Sequence, residues 1–219
     1  KIHFENISEL SKYDFKAPDE IKELDDALMR LSKQAVLHIS EIYAFAKIIK
    51  YFSYLKKQKF EGRLGEWIAK VEIPDVMRQM ANSFDENGEF SDSVDERFAA
   101  IKQAFSEKKR QIDAELKKLI YSKHITPYLV DTQTNYINSQ EALLGRGGFN
   151  HALKGTVIAR SSGGYFYVAP ASTERLKKEQ RELLDRKEEI IFEHCKKFSL
   201  QMSKSMLFLK FINNAFDQF

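Results

Sequence analysis

The chain has 219 residues, 43% of them hydrophobic and 31% charged, with Lys+Arg 35 against Asp+Glu 32 for a net charge of +3. That apolar content fits a folded chain and excludes a disordered polar one, and a balance so near neutral confines any basic surface to a local patch. The single cysteine, Cys195, excludes an internal disulfide and a four-cysteine zinc site, and no run of 18 apolar residues offers a transmembrane helix, so no membrane partner is expected.

A reducing, cytoplasmic setting is the natural expectation for such cysteine usage. Lys1-Ile2-His3-Phe4-Glu5 lacks the apolar core of a signal peptide, and no initiator Met is present. Helical patterning still runs at Asp217-Gln218-Phe219, so both ends are expected to be cuts in a longer protein.

Residues 1–92 predict a helical core. Asp19 is placed to cap a helix starting near Glu20, with Ile21, Leu24, Leu28 and Leu31 on one face. Ser40 is placed to cap a second, in which Ile42, Phe45, Ile48, Ile49, Phe52 and Leu55 recur at three and four. A short helix holds Trp67 and Ile68, and Pro74 suits the first turn of another carrying Val76 and Met80. Asp85-Glu86-Asn87-Gly88 predicts a turn, joining two short strands or leading straight into the next helix.

From Ser93 to Lys123 a long helix is expected, since Phe98, Phe105, Ile112 and Leu119 recur every seven residues and Val94 and Ile101 complete the seam. Roughly 30 residues at about 1.5 Å each give a rod of some 45 Å. From 172 to 198 the pattern returns, with Leu176, Leu183 and Ile190 in one series and Leu184, Ile191 and Phe198 in another. Ser172 or Thr173 is placed to cap this helix, and Lys177, Lys178, Arg181, Arg186 and Lys187 are assigned to its outer faces. Two helices of matching length around a compact insert are expected to pack antiparallel, each covering the other's apolar stripe. Residues 199–219 are expected to return into the core.

The insert at 124–171 gathers Pro127, Gly145, Gly147, Gly148, Gly155, Gly163, Gly164 and Pro170, while the helices on either side contain no Gly or Pro. It reads as β-rich. Asn135–Asn138 is a short strand candidate, and Lys154–Arg160 and Tyr165–Val168 form a hairpin across Ser161-Ser162-Gly163-Gly164. Ala142-Leu143-Leu144 is open between strand and helix. Arg146, Lys154 and Arg160, with His151 joining at lower pH and Asn150 beside it, are the candidate DNA-binding residues of this tip. Tyr165, Phe166 and Tyr167 offer rings for bases, although two of the three are expected in the small core.

No catalytic constellation is present. Gly145-Arg146-Gly147-Gly148 lacks the Gly-Lys-Ser/Thr of a P-loop, and the five histidines are scattered. His194 and Cys195 are neighbours on a helix and point about 100° apart, which does not suit a nucleophile and its base. The expectation is a chain without enzymatic activity, bound cofactor or metal of its own.

Three stretches then carry a family resemblance. Ile39-Ser40-Glu41-Ile42-Tyr43 through Leu55-Lys56 resembles a core helix in which Glu-Leu-Leu leads to Leu-Lys. Phe84-Asp85-Glu86-Asn87-Gly88-Glu89-Phe90-Ser91-Asp92 resembles an Ile-Asp-x-x-Gly-x-Ile-x-Asp segment. The run from Lys154 to Pro170 resembles Lys-Gly-x-Val-His-Asp-x-Ser-x-Ser-Gly-x-Thr-Leu-Phe-Ile-Glu-Pro, with Ile158-Ala159 replacing His-Asp, one turn residue missing, and Ala169 in place of Glu. Together they are similar to the core, lever and clamp of the MutS family, in detail its bacterial MutS-II branch linked to suppression of recombination.

The resemblance implies a mainly α fold, in which a helical core bundle bears a long antiparallel two-helix lever carrying a small β-rich clamp insert. It implies DNA as partner, branched recombination intermediates above all, and a homodimer in the full-length protein. ATP and Mg would be bound by an ATPase domain beyond Phe219, and a C-terminal nuclease domain would follow. Two alternatives stand beside it. One is a clamp engaging collided ribosomes, and the other is a structural coiled-coil spacer.

Overall fold

The computed structural model describes residues 24–58, 60–138 and 140–216, apart from the side chain of Arg63. It is mainly α-helical, with a four-stranded antiparallel sheet. In chain order the elements are α1 (Asp25–Ser32), α2 (Ile39–Leu55), α3 (Gly62–Lys70), α4 (Asp75–Asn82) and α5 (Glu96–Ile120). Then come β1 (Leu129–Ile137), β2 (Gln140–Gly145), β3 (Gly155–Arg160), β4 (Phe166–Pro170), α6 (Ala171–Lys204) and α7 (Met206–Phe216). Two compact units divide the chain, one of residues up to Glu96 and from Glu189 onward, the other of Arg97–Glu188.

The first unit is built on α2. Its residues Ile42, Phe45, Ile48, Ile49, Phe52 and Leu55 are all buried, as their spacing predicts, and each contributes on the order of 1.5–3 kcal/mol of apolar burial. Trp67 on α3 lies between Phe52 and Phe211, 6.2 Å from each ring. Side chains tie segments distant in sequence. The Leu37 N–H donates to Ser199 Oγ (2.9 Å), Asn213 Nδ2 donates to Asp25 Oδ1 (3.1 Å), and His194 Nε2 meets Asp95 Oδ2 (3.0 Å). Phe84 and Phe90 form an isolated antiparallel bridge around the Asp85–Gly88 turn, in which Asp85 Oδ1 accepts from the N–H groups of Asn87 and Glu89.

Several expectations for this unit are corrected. The helix carrying Leu28 and Leu31 starts at Asp25, not near Glu20, while Asp19, Glu20 and Ile21 lie outside the described residues. The cap of α2 is His38, not Ser40. His38 Nδ1 accepts from the Ser40 N–H (3.3 Å) and Glu41 Oε2 accepts from the His38 N–H (2.9 Å), so the imidazole does the work of a Ser or Asp cap. On α4 the buried face is Met77, Met80 and Ala81. Val76 is exposed, because the short helix turns it away from α2.

In the second unit the C-terminal half of α5 underlies the sheet. Ile112, Leu116 and Ile120 pack with Ile125, Leu129, Leu143, Phe149, Leu153 and Val168 in one apolar cluster that Leu176 of α6 joins. Lys108 Nζ reaches Glu179 Oε2 at 2.5 Å, across α5 and α6. The sheet order is β1-β2-β4-β3, two hairpins joined through their inner strands. Ala142-Leu143-Leu144 is therefore a central strand, buried on both faces, which a short apolar run alone leaves open. The strand candidate at Asn135–Asn138 extends back to Leu129, with an irregular register between Leu129 and Thr134.

Here too the periodic reading needs correction. Ser93 and Val94 lie in the turn before α5, held by the Val94 N–H donating to the Ser91 carbonyl. The helix ends at Ile120, short of Lys123, because Thr126 Oγ1 reaches the carbonyls of Ile120 (2.9 Å) and Ser122 (2.8 Å). Helix α6 starts at Ala171 and runs past Phe198 to Lys204. Thr173, inside its first turn, donates to the Pro170 carbonyl and does not cap N–H groups. Leu184 stays 46% exposed, so mutual covering of the two apolar stripes fails there.

Candidate nucleic-acid interface

The register fixes where the candidate cations sit. Leu129 pairs with Gly145, Gly145 with Phe166, and Phe166 with Arg160, so these four residues form one row across all four strands. Arg146 follows Gly145 directly. Arg146 and Arg160 therefore share one end of the sheet, their strands two spacings or about 10 Å apart. Lys154 precedes Gly155, which pairs with Pro170 at the opposite end, about 17 Å along β3. The segment 146–154 crosses from one end to the other, anchored by buried Phe149 and Leu153, and exposes Asn150 and His151 on the way. The five candidates are thus all exposed, but only Arg146 and Arg160 are brought to a common edge.

Local chemistry holds that edge. The Arg146 N–H donates to the Tyr128 carbonyl (2.8 Å), and the Phe149 N–H donates to the Arg146 carbonyl (3.2 Å). Gly148 adopts φ +83, a conformation that favours glycine, which turns Phe149 down against Phe166 (ring centroids 5.5 Å). Gly147 has no such duty, since a Cβ there meets nothing within 4 Å. Arg160 lies over the Phe166 ring at 5.1 Å, a cation–π contact that orders the guanidinium without neutralising it. No carboxylate pairs with Arg146, Lys154 or Arg160 among the described residues, and the sequence has no Asp or Glu between Glu141 and Glu174.

The fold adds two residues that sequence reasoning missed. Lys123 and His124 are exposed in the stretch leading to Tyr128, whose carbonyl is bonded to Arg146. No local pattern marks them, since only the pairing of Leu129 with Gly145 brings that stretch alongside. Of the three tip aromatics, Phe166 packs against the apolar cluster, Tyr167 is half-buried outside it, and Tyr165 is exposed, so one of them joins the core where two were expected. Lys177, assigned to an outer face, turns inward instead. Its Nζ donates to the Glu141 carbonyl (2.8 Å) and pairs with Glu141 Oε2 (3.2 Å). That pair floors a cleft of about 840 Å³ between the helices and the sheet, where Lys109, Lys177 and Arg181 are balanced by Asp113, Glu141 and Glu174.

The N–H groups of Phe149 and His151 donate within the turn, to the Arg146 and Gly148 carbonyls, and residues Phe149–His151 form a single 3₁₀ turn. Among the described residues no three of His, Cys, Asp and Glu converge as a metal site. Cys195 is buried and His194 faces Asp95.

No protein-family model matches the chain. Two curated relatives from Helicobacter pylori strains J99 and 26695, both named Endonuclease MutS2, are 30% and 29% identical to it over 224 aligned residues, covering 99% of this chain. The chain spans 29% of the length of each relative. Along almost all of its own length, this chain is similar to one stretch of proteins named Endonuclease MutS2.

Proposed function

We propose that this chain is the DNA-binding core, lever and clamp region of a MutS2-type protein of the MutS family, with branched DNA such as recombination intermediates as its ligand. The process it serves is suppression of homologous recombination. The observation that carries this reading is the similarity along 99% of the chain to the two Endonuclease MutS2 relatives. The cationic sheet edge supports it, because among the described residues no carboxylate pairs with Arg146 or Arg160, which leaves their charge for backbone phosphates. In the longer protein, ATP with Mg and any nuclease chemistry act outside this stretch, and two copies work together. Hydrolysis of ATP by the purified chain would contradict that division of labour.

The test is a binding titration against a four-way junction, a linear duplex and ribosomes at two salt concentrations. Tighter binding to the junction is expected, weakening steeply with salt as counterions are released. The double variant Arg146→Gln, Arg160→Gln should bind about ten-fold or more weakly and lower the log–log salt slope by about two. Binding that is flat with salt and indifferent to both arginines, or co-sedimentation with stalled ribosomes without junction affinity, overturns the reading.

A further inference from the structure

The turn joining β3 to β4 is more tightly specified than a solvent-exposed connection needs to be. The Ser161 N–H donates to the Tyr165 carbonyl (2.9 Å), the Gly164 N–H donates to the Ser161 carbonyl (3.1 Å), and the Tyr165 N–H donates to Ser161 Oγ (3.2 Å). Gly164 takes φ +77, where side chains are disfavoured. A Cβ on Gly163 would lie 3.1 Å from the Tyr165 ring, so the ring rests on bare glycine backbone. Its neighbour Phe166 goes into the apolar cluster, whereas Tyr165 remains 39% exposed and outside it. The turn thus holds an aromatic ring that serves no core, at the sheet edge that bears Arg146 and Arg160.

An exposed tyrosine in a turn is ordinary by itself. Here three features coincide: a hydrogen-bonded turn that orients the ring, two arginines on the same edge without carboxylate partners among the described residues, and an acid-free stretch from Ala142 to Thr173. Aromatic rings flanked by cations are how proteins hold unstacked bases while their phosphates are neutralised. A continuous duplex keeps its bases stacked and offers such a ring nothing, whereas a junction, gap or single-stranded tail does. We propose that Tyr165 is a stacking platform for an unpaired or junction-exposed nucleobase, with Arg146 and Arg160 taking the flanking phosphates. The inference rests on the DNA-binding reading above and adds to it the feature that separates branched from continuous DNA.

The test uses the whole chain with two probes, a linear duplex and the same duplex carrying a short single-stranded tail with 2-aminopurine at its first unpaired position. Wild-type protein should bind the tailed probe more tightly and change the 2-aminopurine fluorescence. Tyr165→Ser should lose about ten-fold in affinity for the tailed probe together with that change, leaving duplex binding as it was. Tyr165→Phe should keep both, because the ring and not the hydroxyl does the stacking. Gly163→Ala, which leaves Tyr165 in place but pushes on its ring, should reduce the fluorescence change without touching duplex affinity, and it serves if Tyr165→Ser misfolds by circular dichroism. Equal binding of both probes by wild type and Tyr165→Ser overturns the stacking role while the DNA reading stands. Loss in Tyr165→Phe equal to that in Tyr165→Ser overturns it as well. Absence of any DNA binding by the wild type overturns both.

Discussion

Lys108 and Glu179 face each other across α5 and α6, and the lysine hydrogen bond, with the charges of Lys108 and Arg175, holds the Glu179 carboxyl below its ordinary value of 4.5. A carboxylate with a lowered folded-state value adds stability above its ordinary pKa and loses it as pH falls through the lowered one. The melting temperature of Glu179→Gln should therefore fall below wild type at neutral pH and converge on it in acid, which a melting series from neutral to strongly acidic pH checks. Tyr51 behaves oppositely. Burial, with Tyr54 nearby, pushes its hydroxyl from 10.0 up to about 12. The fold favours the neutral ring, so its contribution is whole below pH 10 and fades as pH rises toward 12. Denaturant melts at about pH 9 and about pH 11.5 should show a smaller alkaline loss in Tyr51→Phe than in wild type. At this scale the sequence is least informative. Lys177 and Leu184 have the types of an outer-face charge and a seam residue, yet one is drawn inward by Glu141 and the other is left open, because burial depends on what lies opposite.

Among the elements, α5 shows how far periodicity carries. Of the heptad seam Phe98, Ile101 and Ile112 are buried while Phe105 and Leu119 are only half-buried, and Leu116, off that seam, is buried because the sheet covers its face. Leu116→Ala should cost about 2–5 kcal/mol, measured by urea unfolding, since the cavity opens under β2 and β4, where collapse is limited. Helix ends were less legible, because they depend on single hydrogen bonds such as those of Thr126 at the end of α5 and His38 at the start of α2. Removing the first with Thr126→Val should destabilise by about 0.5–1.5 kcal/mol. The strands divide the same way. The β3–β4 hairpin follows from its Ser/Gly turn, whereas β2 is a strand because both its neighbours pair with it.

For the molecule as a whole, the chain divides into two compact units, with one boundary at the start of α5 and the other within α6. Separate clusters of apolar residues imply separate opening free energies. Hydrogen exchange on Leu116→Ala should therefore quicken amides within 97–188 more than those of α2, and a uniform change would contradict independent units. The sequence by itself determined the mainly α class, the burial of the α2 face and the β-rich insert between glycine-free helices, because these rest on periodicity and on backbone preferences local to each segment. Only the tertiary structure decided which cations share an edge. Arg146 and Arg160 share one end of the sheet and Lys154 is carried to the other, because strand register sets distances that separation along the chain does not encode.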